Sequence, residues 1–133
     1  MINVEWVVHR SGMHKMYKSS LEIKDADGNQ LVTSYAVHRP DGNWSVMLVN
    51  RDKEQAHTIR VVFNDGHKKL SFAGPVEWTT FGSEQYVWHD KGERSYADPD
   101  GPPAGHTVAG GAESTYTLPK AAITVLRGPV EAP

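Results

Sequence analysis

The chain contains no cysteine, which excludes disulfide frameworks, cysteine–zinc sites and thiol catalysis and leaves the compartment open. It has no surplus of one charge: 14 Lys and Arg against 16 Asp and Glu give a net charge of −2, with no charge block along the chain. Nucleic-acid partners need a concentrated basic face, so none is expected. No apolar run approaches the roughly 18 residues of a membrane span and no signal peptide is recognised, so no membrane partner is expected. Phosphate-binding glycine loops are also missing, because Gly110-Gly111 stands alone without the spacing of either nucleotide fingerprint. Helical periodicity is convincing nowhere.

What remains is a 133-residue chain of short β-branched and aromatic runs separated by turn residues. Its mass of 14.7 kDa suits one domain, and surface scaling predicts about 6,900 Å² exposed when folded, enough burial for one core. The runs predict strands at Val4–Val8, Leu21–Lys24, Leu31–His38, Trp44–Asn50, His57–Phe63, Lys69–Ala73, Val76–Phe81, Gln85–Trp88, Ser114–Leu118 and Ala122–Arg127. Arg39-Pro40-Asp41-Gly42-Asn43 between two of them reads as a hairpin, since Pro presets φ and Gly accepts positive φ. Asp25-Ala26-Asp27-Gly28-Asn29 and Asn64-Asp65-Gly66 read as further turns. Along His57–Phe63 the apolar residues Ile59, Val61 and Phe63 alternate with Thr58 and Arg60, the pattern of a sheet with one wet face. Leu31–His38 and Trp44–Asn50 are partly apolar on both faces and belong at the centre. The fold class is therefore all-β, an antiparallel β-sandwich of about 8–10 short strands. Asp90–Gly111, polar and rich in Gly and Pro, is expected to be an ordered loop lying on another surface. Pro129–Pro133 is expected to fray.

Candidate chemistry is sparse. Asp25, Asp27 and Asn29 have the spacing of a calcium loop, but Gln30 and Ala36 stand where such a loop needs Gly and Glu, so an ordinary turn is the better reading. The seven histidines form no HxH, HxxxH or HExxH pattern, and no metal site is expected. There is no Gly-x-Ser-x-Gly elbow, and none of the carboxylates is singled out as an acid–base pair. With 16 carboxylates, counting alone leaves paired-acid chemistry open, and no cofactor is expected. The aromatics carry more. Trp78, Tyr86 and Trp88 are candidates either for packing, within the domain or against a neighbouring one, or for a sugar-stacking platform. Trp78 and Phe81, like Val87 and Trp88, are expected on opposite faces, with one of each pair in the core. Asn43-Trp44-Ser45 matches a glycan acceptor only formally.

The run Thr33-Ser34-Tyr35-Ala36-Val37-His38-Arg39-Pro40-Asp41-Gly42-Asn43-Trp44-Ser45-Val46-Met47-Leu48-Val49-Asn50-Arg51 resembles part of the C-terminal β-sandwich that follows the (β/α)8 barrel in clan A glycoside hydrolases. That group includes xylosidases, arabinofuranosidases, xylanases and glucosylceramidase-like enzymes. Leu118-Pro119-Lys120-Ala121-Ala122-Ile123-Thr124-Val125-Leu126-Arg127-Gly128 is similar to the last strand of the same domains, with Ala122 where Ser is usual. Met1 to Trp6 resembles the stretch leaving the barrel, so residues 1–20 read as a lead-in from a missing catalytic barrel and 1–128 as one accessory domain. The resemblance implies a non-catalytic module packed on a (β/α)8 barrel of the same polypeptide, outside the cell or in the periplasm. The catalytic acid and nucleophile of these enzymes lie on barrel strands, so none transfers to this chain. A carbohydrate-binding module using Trp78, Tyr86 and Trp88, with polysaccharide as partner, is the alternative. A stand-alone enzyme is the third.

Overall fold

The computed structural model describes residues 6–8, 12–99 and 101–131. The expected strand Val4–Val8, the stretch Met1 to Glu5, His9 and the last two residues of the tail fall wholly or partly outside them. The strands are β1 (Lys15–Tyr17), β2 (Val32–His38), β3 (Trp44–Asn50), β4 (His57–Ile59), β5 (Phe63–Asn64), β6 (Lys69–Phe72), β7 (Pro75–Phe81), β8 (Trp88–His89), β9 (Tyr96–Ala97), β10 (Ala104–Ala109), β11 (Tyr116–Leu118), β12 (Ala122–Gly128) and β13 (Val130–Glu131). Every strand pair is antiparallel, so the all-β expectation holds. The thirteen strands exceed the expected number because four of them are only two residues long.

One six-stranded sheet, ordered β1-β2-β3-β12-β7-β10, carries the architecture. Its register sets Val32, Ala36, Val46, Leu48, Leu126 and Val76 on one face. That face packs against Ile59, Tyr116 and Leu118 of the β11-β4 pair and Phe72 of the β13-β6-β5 sheet. The core is thus shared between one broad layer and one broken layer, the arrangement of a sandwich. The alternation expected from His57 to Phe63 is present, with Ile59 buried, Val61 and Phe63 against the core, and Thr58 and Arg60 exposed. The pairing lapses between β4 and β5, where the chain passes from one small sheet to the other.

Two of the motif residues have structural work. In the β2–β3 hairpin the Gly42 amide donates to the Arg39 carbonyl, and Gly42 sits at φ 85°. Only glycine adopts that conformation cheaply. Asp41 accepts from the Asn43 amide and pairs with Arg39, whose guanidinium is buried. Asn50, at 2% exposure, is a hub at the far end of β3. Its Nδ2 donates to the carbonyls of Gln55, Leu118 and Pro119, and its Oδ1 accepts from the Asp52 amide. One amide side chain therefore ties the end of β3 to the loop before β4 and the turn between β11 and β12.

Two expectations are corrected. The Asp90–Gly111 segment is not a loop throughout: it holds a 3-10 turn at Gly92–Arg94, β9, and the six-residue β10, which pairs with β7 from Pro75 to Thr80. Backbone pairing to β7 imposes the strand on a sequence, Ala-Gly-His-Thr-Val-Ala, that has almost no apolar alternation. The tail is ordered as far as Glu131, because Val130 and Glu131 pair with Phe72 and Ser71. Gly110 follows β10 for a packing reason: a Cβ there would lie 2.8 Å from the Phe72 carbonyl oxygen.

Candidate functional site

The second face of the large sheet is the feature that the sandwich core leaves unexplained. By register, Tyr35 and Val37 of β2, Met47 and Val49 of β3, Ile123 and Val125 of β12, and Phe81 of β7 all point away from the broken layer. A sheet face meant for water alternates to polar side chains; this one carries an apolar patch that touches four adjacent strands and is interrupted by Thr33, Ser45, Thr79 and Arg127. Only part of it is covered. Ser45 is sealed at one end, where its hydroxyl donates to the Trp6 carbonyl. Val37 and Val125 are likewise buried. Met47, Val49, Phe81 and Ile123 remain half-open, and Tyr35 is exposed. Beyond Phe81 the face turns polar, with the Thr107 hydroxyl donating to Glu77 between β10 and β7.

A shallow groove of about 370 Å³ crosses the open part, lined by Val49, Phe81, Tyr86 and Ile123 among others.

The three aromatic candidates do not form one surface. Trp78 lies on the core face of β7, its ring 5.8 Å from Tyr116 and 4.8 Å from His106, its Nε1 donating to Thr80 Oγ1. It is a packing residue at the sheet margin. Tyr86 and Trp88 are 44% and 55% exposed and share the β8–β9 hairpin. Its pairing is carried past β8 by the Asp98 amide on the Val87 carbonyl and the Gly101 amide on the Gln85 carbonyl. Strand alternation puts Tyr86 and Trp88 on one side of it. Val87, expected in the core if Trp88 is exposed, is exposed as well. Among the described residues no second sheet pairs with this two-stranded hairpin, and Val87 stays exposed like Trp88. Its other side stacks His89 on Tyr96 at 4.6 Å, with His89 Nε2 3.0 Å from Asp98 Oδ1.

No cluster of three metal-ligating side chains occurs among the described residues, and no helix among them is long and apolar enough to cross a membrane. The Asp25 turn is closed on itself, its carboxylate accepting from the Asp27 and Asn29 amides and the Asn29 side chain. The best-formed acid–histidine pair, Asp52 with His57 at 2.8 Å, belongs to the Asn50 corner. The Glu54 amide first, then His57 and the Gln55 amide, hold the Asp52 carboxyl below the usual carboxylate range. These bonds fasten the loop before β4. The residues missed by sequence reasoning are Tyr35, Met47, Val49 and Ile123. Their signal was the apolar character of β2 and β3 on both faces, which pointed to central strands and, equally, to a covered outer face.

No family model matches the chain, and no curated protein matches it. Among solved structures it is similar to the thermostable GH51 alpha-L-arabinofuranosidase from Thermotoga petrophila RKU-1, with 14% identity over 75% of this chain and a TM-score of 0.47. The chain spans 19% of that enzyme's length.

Proposed function

We propose that this chain is a non-catalytic β-sandwich module of a glycoside hydrolase, docked through the outer face of its large sheet on a (β/α)8 catalytic barrel of the same polypeptide. The supporting observation is the half-covered apolar face of Met47, Val49, Phe81 and Ile123. The lead-in segment already lies on that face through the Ser45–Trp6 bond, so polypeptide arriving from upstream approaches on the same side. Domain interfaces of about 600–1,500 Å² are usual, which suits a face this wide. The motifs around the β2–β3 hairpin and the closing strand support the same assignment by resemblance. Such a module stabilises the barrel flank and takes no part in bond cleavage; its setting is that of its polysaccharide-degrading parent, extracellular or periplasmic.

The test is to express the reading frame upstream of Met1, expected to encode about 250 or more residues of alternating strand and helix. That part, produced separately, should bind the chain and hydrolyse a glycoside. Val49→Asp and Ile123→Asp should abolish the binding. An upstream frame without a barrel, or binding indifferent to both changes, overturns the reading.

A second reading, carbohydrate binding, is favoured by one observation: two exposed rings, Tyr86 and Trp88, on one side of one hairpin. Affinity gels with xylan, arabinan and β-glucan test it. Retardation lost in Trp88→Ala supports it, and free migration in all three removes it.

A further inference from the structure

The open end of the sandwich, on the side opposite the proposed docking face, holds a cleft that neither reading uses. The layers part there because residues 18–23 lie in no strand and β5 is only two residues long. The gap is about 370 Å³, within the usual range of small-ligand sites. Val46, Ala36 and Leu70 line it together with Tyr17, Trp44 and Phe63. The last three form a continuous aromatic wall, Trp44 lying 4.7 Å from Tyr17 and 5.3 Å from Phe63. Rings this close leave no room between them for a cation cage. They present a wall, and Tyr17 at 40% exposure is its accessible part. One cation, Lys15 Nζ, already sits 5.2 Å from the Tyr17 ring centre.

The rim is polar and uncommitted. Lys18 and Ser20 line the cleft and have no hydrogen-bond partner among the described residues, whereas Ser19 bonds Ser34. Asn64 uses its Oδ1 for the Gly66 amide, which leaves its amide nitrogen free. Asp65 uses Oδ1 for the His67 and Lys68 amides, which leaves Oδ2. Those amides, that of Lys68 first, hold the Asp65 carboxyl below its ordinary value, so it is an ionised acceptor at neutral pH. A flat aromatic wall with several donors and one acceptor around it matches a ring that has C–H faces and hydroxyl edges.

We infer that this cleft, between the Tyr17–Ser20 segment and the Phe63–Asp65 turn, binds one neutral sugar ring. Tyr17 takes the ring face in place of the Lys15 ammonium, which moves aside, Lys18, Ser20 and the Asn64 amide donate to hydroxyl oxygens, and Asp65 accepts from a hydroxyl. The site shares no residue with the Met47–Ile123 face or with the Tyr86–Trp88 hairpin.

The test is NMR titration of the full chain with methyl β-D-glucopyranoside and methyl β-D-xylopyranoside, with tetramethylammonium chloride as the cation control. The expected result is saturable movement of the Tyr17, Trp44 and Ser20 resonances by at least one sugar, with a Kd on the order of 1–10 mM. Tyr17→Ala should weaken it about tenfold or more. Lys18→Ala with Ser20→Ala, two exposed changes that leave the core intact, should weaken it severalfold. Movement confined to the Tyr86–Trp88 hairpin, no movement with either sugar, or a stronger response to tetramethylammonium overturns the inference.

Discussion

The two faces of the large sheet are built from the same four strands and the same kinds of residue, yet they end in different states. On the core side Val32, Leu48, Val76 and Leu126 are sealed, each at 2% exposure or less, by the β11-β4 and β13-β6-β5 layers. On the outer side Met47, Val49, Ile123 and Phe81, equally apolar, are half-open. The chain supplies its own second layer for one face, whereas on the other Val37 and Val125 are buried and Ser45 bonds the Trp6 carbonyl. Under the proposed docking, apolar patterning records which surfaces are dry in the assembled protein, and the folded chain alone satisfies that record on one side.

The contrast can be broken by mutation. Leu126→Ala on the sealed face should cost about 3–5 kcal/mol, because the surrounding β-layers cannot collapse into the cavity. Val49→Ala on the open face should cost less than about 1 kcal/mol in the isolated chain, since that site has only partial burial to lose. Urea unfolding of both variants checks the difference; equal losses would mean that the outer face is already packed. The Asn50 corner comes next. Asn50→Ala removes the partner of three carbonyls and one amide, and a loss of about 2–3 kcal/mol is expected in the same assay.

A smaller effect depends on pH. Asp52 has a folded-state pKa below its unfolded value, so its contribution is fully present above about pH 4 and fades as the pH falls through the lower folded value. Asp52→Asn should lower Tm at neutral pH, and the gap to the parent chain should close on acidification below about pH 4. A gap that is constant with pH would assign the loss to the hydrogen bonds alone. The smallest change is expected at Tyr116. Its ring is core, but its hydroxyl is buried without a hydrogen-bond partner among the described residues, and burial pushes its pKa up. Tyr116→Phe should be neutral or stabilising by up to about 1 kcal/mol in thermal melts; a clear loss would show that the hydroxyl has a partner.

The same contrast explains what could be read from the residues alone. Strands β2, β3 and β12 were legible to within a residue or two, because burial on both faces makes them apolar runs bounded by turns, and β7 because its β-branched and aromatic residues follow a Gly-Pro turn. The Pro40-Asp41-Gly42 turn was legible because its chemistry is local. Strands β1 and β10 were not, since Lys-Met-Tyr and Ala-Gly-His-Thr-Val-Ala are held by backbone pairing to a neighbour distant in sequence. The aromatic candidates show the same limit. Tyr86 and Trp88 are exposed on a two-stranded hairpin that pairs with no second sheet among the described residues, and Trp78 is committed to Tyr116 by a partner 38 residues further on. Side-chain identity gave the inventory, and only register could assign each ring to a face.

Oxidative footprinting of the methionines tests docking most directly. Met47 lies on the open outer face, while Met13, 87% exposed and in no strand of the sheet, serves as an internal control. In the 133-residue chain both should oxidise. In the longer polypeptide carrying the upstream region, Met47 should become protected while Met13 stays reactive. Equal oxidation of Met47 with and without the upstream region would contradict the account.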